Sequence, residues 1–193
     1  MKFGAMVPAD AEGAIAVHSI RKDGLVLRKG THIGKAEIAA LANAGISEIV
    51  VARLEPGDVS EDVAAAQIAA AVAGEGVRVD RAFTGRANLF AEAAGVLVVD
   101  KDGIDRINAV DPDITVATLS AFAPVVAGKM IATVKIIPFA VTASARDEAV
   151  AVARTAPLVR VAPYKVRKVG VVSTVLPGLA DKVIEKTLRV TAE

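Results

Sequence analysis

Six side chains in this 193-residue chain have the types and spacing to hold an anion: Ser173, Thr174, Lys182, Lys186, Arg86 and Asn88. Ser173 and Thr174 close an apolar run, Lys168 to Ser173, and precede an amphipathic stretch. A strand that ends where a helix begins is where α/β proteins place ligands, and free N–H groups at a helix N-terminus attract phosphate. The same two hydroxyls would also serve as a plain helix cap, and Pro177-Gly178 make an ordered turn in either case. Lys182 and Lys186 belong to a late basic group with Arg160, Lys165, Arg167, Lys168 and Arg189, opposed only by Asp181 and Glu185. Such a group is either a solvated face or a surface that meets an anionic ligand. Thr84-Gly85-Arg86-Ala87-Asn88 places donors on a turn that could clasp an anion, but a hairpin turn requiring Gly and Asn reads the same way.

Other chemistries find less. Lys129 and Lys135 lie in an apolar neighbourhood, six residues apart, and fall on one face if the strand alternates strictly. Two buried lysines would be costly, so protection of an edge strand is the expected role. His18 and His32 are the only histidines and there is no Cys, so a zinc site would have to be completed by carboxylates, and no tight spacing provides them. There is no Gly-x-Ser-x-Gly elbow and no nucleophile–base constellation, which makes a stand-alone hydrolase the weakest reading and catalysis by this chain alone unexpected. The acidic group Asp58, Glu61 and Asp62 is explained by the preference of a helix N-terminus for negative charge.

The elements that must position these groups follow from composition. Hydrophobic residues make up 53% but aromatics only 3%, so the apolar content is Ala, Val, Ile and Leu, suited to helices packed on sheet. A net charge of +1 argues against a nucleic-acid binder. The charge is uneven: residues 1–100 carry 10 basic and 13 acidic side chains, residues 101–193 carry 13 and 9. Mean hydropathy is +0.49, yet the longest uncharged run in the most apolar stretch, Ile114 to Gly128, is 15 residues and is broken by Pro124. A spanning helix needs about 20. The N-terminus lacks the apolar core of a signal peptide. Without Cys a cytoplasmic location is the simplest expectation.

Three segments are read, giving a mixed α+β protein with α/β character at its ends. In residues 1–76, Lys35 to Asn43 forms an amphipathic helix capped by Gly45, and Ser47 to Ala52 a buried strand. Pro56-Gly57 turns the chain into an Ala-rich helix that ends at Gly74, with Asp58 as its cap and Glu61 completing a capping box. Residues 77–141 are β-rich, with runs at Val77 to Phe83, Val96 to Val99, Ile114 to Leu119 and Met130 to Ile136, one brief helix at Ile104 to Ala109, and the spacing of a compact barrel or β-clip. In residues 142–193 a helix near Ala145 to Arg154 precedes extended residues Leu158 to Ala162, a strand Lys168 to Ser173 and a helix Leu179 to Val190. One strand and one helix leave edges unpaired, so the expectation is a shortened chain with its remainder missing, or a tail that packs back as a domain swap.

Four stretches resemble the bacterial molybdopterin-binding proteins, relatives of the molybdenum-insertion proteins of cofactor biosynthesis, over nearly the whole chain in order. They are Glu12-Gly13-Ala14-Ile15-Ala16-Val17-His18; Leu27-Arg28-Lys29-Gly30 with Glu37 to Leu41 and Gly45 to Val51; Ala123 to Pro138; and Lys168-Val169-Gly170-Val171-Val172-Ser173-Thr174. The resemblance implies that the last of these opens a doubly wound pterin-binding domain whose glycine-rich loops lie beyond Glu193. It implies molybdopterin as ligand or substrate, a homodimer, and an N-terminal scaffold role. Val175-Leu176-Pro177 stands where the insertion proteins show Gly-Asp-Glu, and Lys186-Thr187 where an Asp and Asn are expected, which counts against direct metal insertion. Some relatives are fused to a nucleotidyltransferase domain, and the resemblance permits a nucleotide with Mg in a longer protein. The competing reading is a carrier or interaction module of barrel-sandwich type. Val125 to Ala132 is similar to a turn of biotinyl and lipoyl domains, although no hairpin with their modified Lys is evident.

Overall fold

The computed structural model of the chain describes every residue except Thr155, Val166, Arg167, Val169, Leu176, Leu179 and Glu193. It divides into two compact units, Met1–Pro163 and Tyr164–Glu193. The larger unit is mixed α+β, and its named strands all pair antiparallel.

The larger unit begins with β1 (Lys2–Met6), β2 (Ile15–Ala16), β3 (Ile20–Lys22), β4 (Leu25–Leu27), α1 (Lys35–Asn43) and β5 (Ile49–Arg53). β5 lies between β1 and β2, and β3 pairs with β4 across Asp23-Gly24. Both turn residues have positive φ, as a two-residue hairpin turn with the strands' own twist requires. α1 ends as its sequence predicts: Gly45 takes φ +63°, and its N–H and that of Ile46 donate back to the carbonyls of Ala42 and Leu41. Leu27, Ile33, Leu41, Ile49 and Val51 are buried in this lobe's core.

The second lobe runs through β6 (Asp58–Ser60), α2 (Glu61–Val72), β7 (Val77–Val79), β8 (Arg86–Ala91), β9 (Gly95–Val99), α3 (Lys101–Val110), β10 (Ile114–Thr118), β11 (Pro124–Val125), β12 (Met130–Ile136), β13 (Ala140–Thr142), α4 (Ala143–Ala153) and β14 (Val159–Pro163). Its sheets have the orders β10-β12-β8-β7, β11-β9-β14 and β13-β6. The buried side of α2 supplies Ala64, Ala65, Ile68, Ala69 and Val72 to a core shared with Leu89, Leu97, Ile107, Val134 and Ile136. Small alanines let the sheet approach the helix closely.

Several expectations are corrected here. Asp58 does not cap α2: it lies in β6, where its carboxylate accepts from the Glu55 N–H at 2.7 Å, and Ser60 takes the cap position. Lys135 does not guard an edge, because β12 is flanked by β10 and β8. The strict alternation linking it to Lys129 is also broken, since the register shifts between Met130 and Ala132. The segment boundaries expected near residues 76 and 141 fall inside the compact unit: β13 pairs back to β6, and β14 to β9.

In the smaller unit α5 (Asp181–Ala192) is the one named element. Of the strand expected at Lys168 to Ser173, the described residues Lys168 and Gly170 to Ser173 are in no ladder and are exposed, and Val169 lies outside the described residues. An apolar run forms a strand only where a neighbouring backbone takes up its N–H and C=O groups.

Candidate functional site

A cleft of about 420 Å³ in the larger unit is lined by Lys29, Gly30, Glu61, Thr84, Lys135, Ile137, Pro138 and Phe139. A smaller hollow beside it shares Gly30, Glu61 and Phe139 and adds Ser60, His32 and Asp62. The lining comes from four stretches far apart in sequence. Lys29 and Gly30 follow β4, Glu61 opens α2, Thr84 sits in the β7–β8 turn, and Lys135 to Phe139 end β12 and lead to β13.

Local structure explains the convergence. Thr84 and Gly85 both have positive φ, and Phe83 and Arg86 exchange backbone hydrogen bonds across them, so this pair makes a tight hairpin turn. The turn is tied down on two sides. The Gly85 N–H donates to the Asp62 carboxylate at 2.7 Å, and its carbonyl accepts from the Ile136 N–H at 2.7 Å. The Lys135 ammonium donates to the Thr84 carbonyl at 2.7 Å. A β-carbon on Gly85 would lie 2.4 Å from Glu61 Oε2 and 2.8 Å from the Ile136 oxygen, so only glycine permits this approach. The Phe139 carbonyl accepts the Glu61 N–H at 2.9 Å, which satisfies one free donor of α2, and Lys29 Nζ lies 5.5 Å from the Phe139 ring centre.

Burial pushes the Glu61 carboxyl above its ordinary value; Lys135 opposes this, Asp62 adds to it, and Lys29 opposes it. Glu61, Lys29 and Lys135 therefore face one space without closing on each other. Among the described residues no ion pair within 4.0 Å joins either lysine to a carboxylate. Among the described residues no group of three or more His, Asp or Glu is placed to hold a metal ion.

The six residues singled out in the sequence fall in both units. Arg86 is exposed at the start of β8, opposite Lys135 in the ladder. Asn88 is half-buried in the same strand, and its Oδ1 accepts from the Thr133 hydroxyl at 2.8 Å, which makes it a ladder contact. Ser173 and Thr174 are exposed, and α5 starts only at Asp181, so they neither cap that helix nor stand at its N-terminus. Lys182 and Lys186 are one turn apart on α5 and line one side of it with Val183, Thr187, Arg189 and Val190. Arg167 of the late basic group lies outside the described residues. Glu61 and Lys135 each have a separate structural explanation in the sequence, Lys29 figures there only in a stretch of the family resemblance, and their convergence is a tertiary fact without a local signal.

Residues 6–53 match a family described as a domain of unknown function (DUF8806). That stretch holds the buried residues of the N-terminal core, from Ala11 to Val51. Among curated proteins and among solved structures, nothing matches the chain. No helix among the described residues is long and apolar enough to cross a membrane.

Proposed function

We propose that this chain is the scaffold portion of a cytoplasmic molybdopterin-binding protein of molybdenum-cofactor biosynthesis, and that it meets the pterin's phosphate through α5. The four stretches that resemble that family, in order along the chain, support the reading. The observation that carries it is the cationic side of α5, where Lys182, Lys186 and Arg189 recur at helical spacing. Exposed ammonium and guanidinium groups on successive turns present a positive field to a phosphate. Under this reading the β-rich middle is a barrel or clip, the tail begins a doubly wound pterin domain, and the protein works as a homodimer. Any nucleotide with Mg would belong to a further domain.

Calorimetric titration of the purified chain with molybdopterin tests the reading. Micromolar binding is expected, weakened about tenfold when Lys182 and Lys186 are both changed to Ala, because each exposed ion pair is worth up to about 1 kcal/mol and tenfold corresponds to about 1.4 kcal/mol. Absence of binding, or binding untouched by the double substitution, overturns the role of α5. Sedimentation that gives a clean monomer at high concentration overturns the dimer.

A further inference from the structure

We propose that the cleft between Lys29, Glu61, Thr84 and Lys135 is a binding site for a small phosphorylated ligand, its dianion paired with both ammonium groups and hydrogen-bonded by the Glu61 carboxyl. This site is separate from the α5 face and does not depend on the pterin reading.

Three observations converge. The first is shape: the cleft of about 420 Å³ lies within the range of small-molecule pockets, about 300–1,000 Å³. The second is charge that is not closed into an ion pair, although Glu61 feels both lysines at a distance. Lys135 is half-buried and donates to a neutral carbonyl, Lys29 is exposed and lies over a ring, and no carboxylate comes within 4.0 Å of either among the described residues. A purely structural cluster would close its opposite charges on one another, since a half-buried ammonium is costly without a counter-charge. The third is preorganisation. Gly85 is buried at φ +69° with no room for a side chain, so the turn carrying Thr84 is fixed against α2 and β12 before any ligand arrives. Ile137, Pro138 and Phe139 form the apolar wall, against which the organic part of a phosphate ester would lie.

Glu61 decides the pH behaviour. Its carboxylate would repel a dianion, whereas its acid form donates a hydrogen bond, and burial already favours that form. The charged groups that face it are Lys29 from the N-terminal lobe, Lys135 from β12 and Asp62 on α2, with His32 in the adjoining hollow. Binding of an anion whose own charge is fixed therefore takes up a proton wherever Glu61 is ionised in the free protein, and its affinity rises as pH falls.

The experiment titrates the full chain with pyrophosphate, and with sulfate as a probe whose own charge is constant across the pH range. Amide NMR provides a second reading. Pyrophosphate is expected to shift the amides of Thr84, Gly85, Arg86 and Phe139. Lys29→Met and Lys135→Met should each weaken binding about tenfold. Sulfate should bind more tightly as pH is lowered. Glu61→Gln should bind at least as well as the native chain at neutral pH and lose that dependence, while His32→Gln keeps it. No binding of either anion at millimolar concentration, shifts confined to α5, or a pH dependence that survives in Glu61→Gln would each overturn the proposal.

Discussion

Asn108 shows how much a single side chain can do. β10 is an edge of the four-stranded sheet, and from α3 the Asn108 amide accepts from the Val116 N–H at 2.7 Å and donates to the Val116 carbonyl at 3.0 Å. The side chain supplies what a neighbouring strand would. Asn108→Ala should cost about 1–3 kcal/mol by leaving two backbone groups without partners, and each kcal/mol lowers Tm by about 2–4 °C at this size. Asn108→Asp, which can accept but not donate, should fall between; a melt identical to the native one would dismiss the edge role. Asp58 makes the pH counterpart. The Glu55 N–H holds its carboxyl below the ordinary value, helped by the Met1 ammonium at 2.8 Å, and the same contact raises the Met1 amine above its ordinary value. A depressed carboxyl contributes stability that is present above the ordinary carboxylate range and lost as pH falls through its lowered value. The raised amine contributes stability present below its ordinary value and lost as pH climbs through the raised one. Asp58→Asn should therefore flatten both limbs of Tm against pH. In the sequence Asp58, three residues before Glu61, imitates a capping box; only the β6–β13 pairing shows that it precedes the true cap, Ser60.

Helices were more legible than strands, for a physical reason. α1 matches its expected range because the glycine cap and the apolar face are local signals, and α3 and α4 fall within a few residues of theirs. β8 was hidden: Thr84 to Asn88 reads as one turn, yet the turn is only Thr84-Gly85, and Arg86 and Asn88 already belong to the strand. What turns polar residues into strand is the ladder to β12, a contact about 45 residues away that no local pattern records. The candidate cleft was invisible on the same grounds. Gly95 belongs to this scale, since it lets two strands meet where a β-carbon would stand 2.2 Å from the Ala162 oxygen. Gly95→Ala should force β9 and β14 apart and cost about 1–3 kcal/mol, the range for overpacking a tight interior. Denaturant unfolding measures it, and an unchanged midpoint would mean that β14 is loosely held.

On the scale of the molecule, the larger unit contains two cores, one inside residues 11–51 and one spread from α2 to β14. A third, small cluster joins them: Ile15, Val17 and Ala52 are buried, with Val50, Leu54 and Phe139 packed against them. Phe139 comes from the second lobe and, among the described residues, is the one aromatic side chain of this small cluster. Its backbone is engaged as well, through the carbonyl that accepts the Glu61 N–H. Coupling between the lobes should thus depend heavily on this ring, and Phe139→Ala separates the ring from the backbone contact because the carbonyl remains. For a half-buried ring the cost should be about 2 kcal/mol, below the 3–5 kcal/mol typical of a fully buried one. The informative readout is where that cost appears. Hydrogen exchange should accelerate in β2 and β5 of the N-terminal lobe, while amides in β8 and β12 keep their protection, since Leu89, Val134 and Ile136 are held by a core that Phe139 does not enter. Equal acceleration in both lobes would instead mean that the larger unit opens as one cooperative body, with the joint spread over contacts beyond this ring.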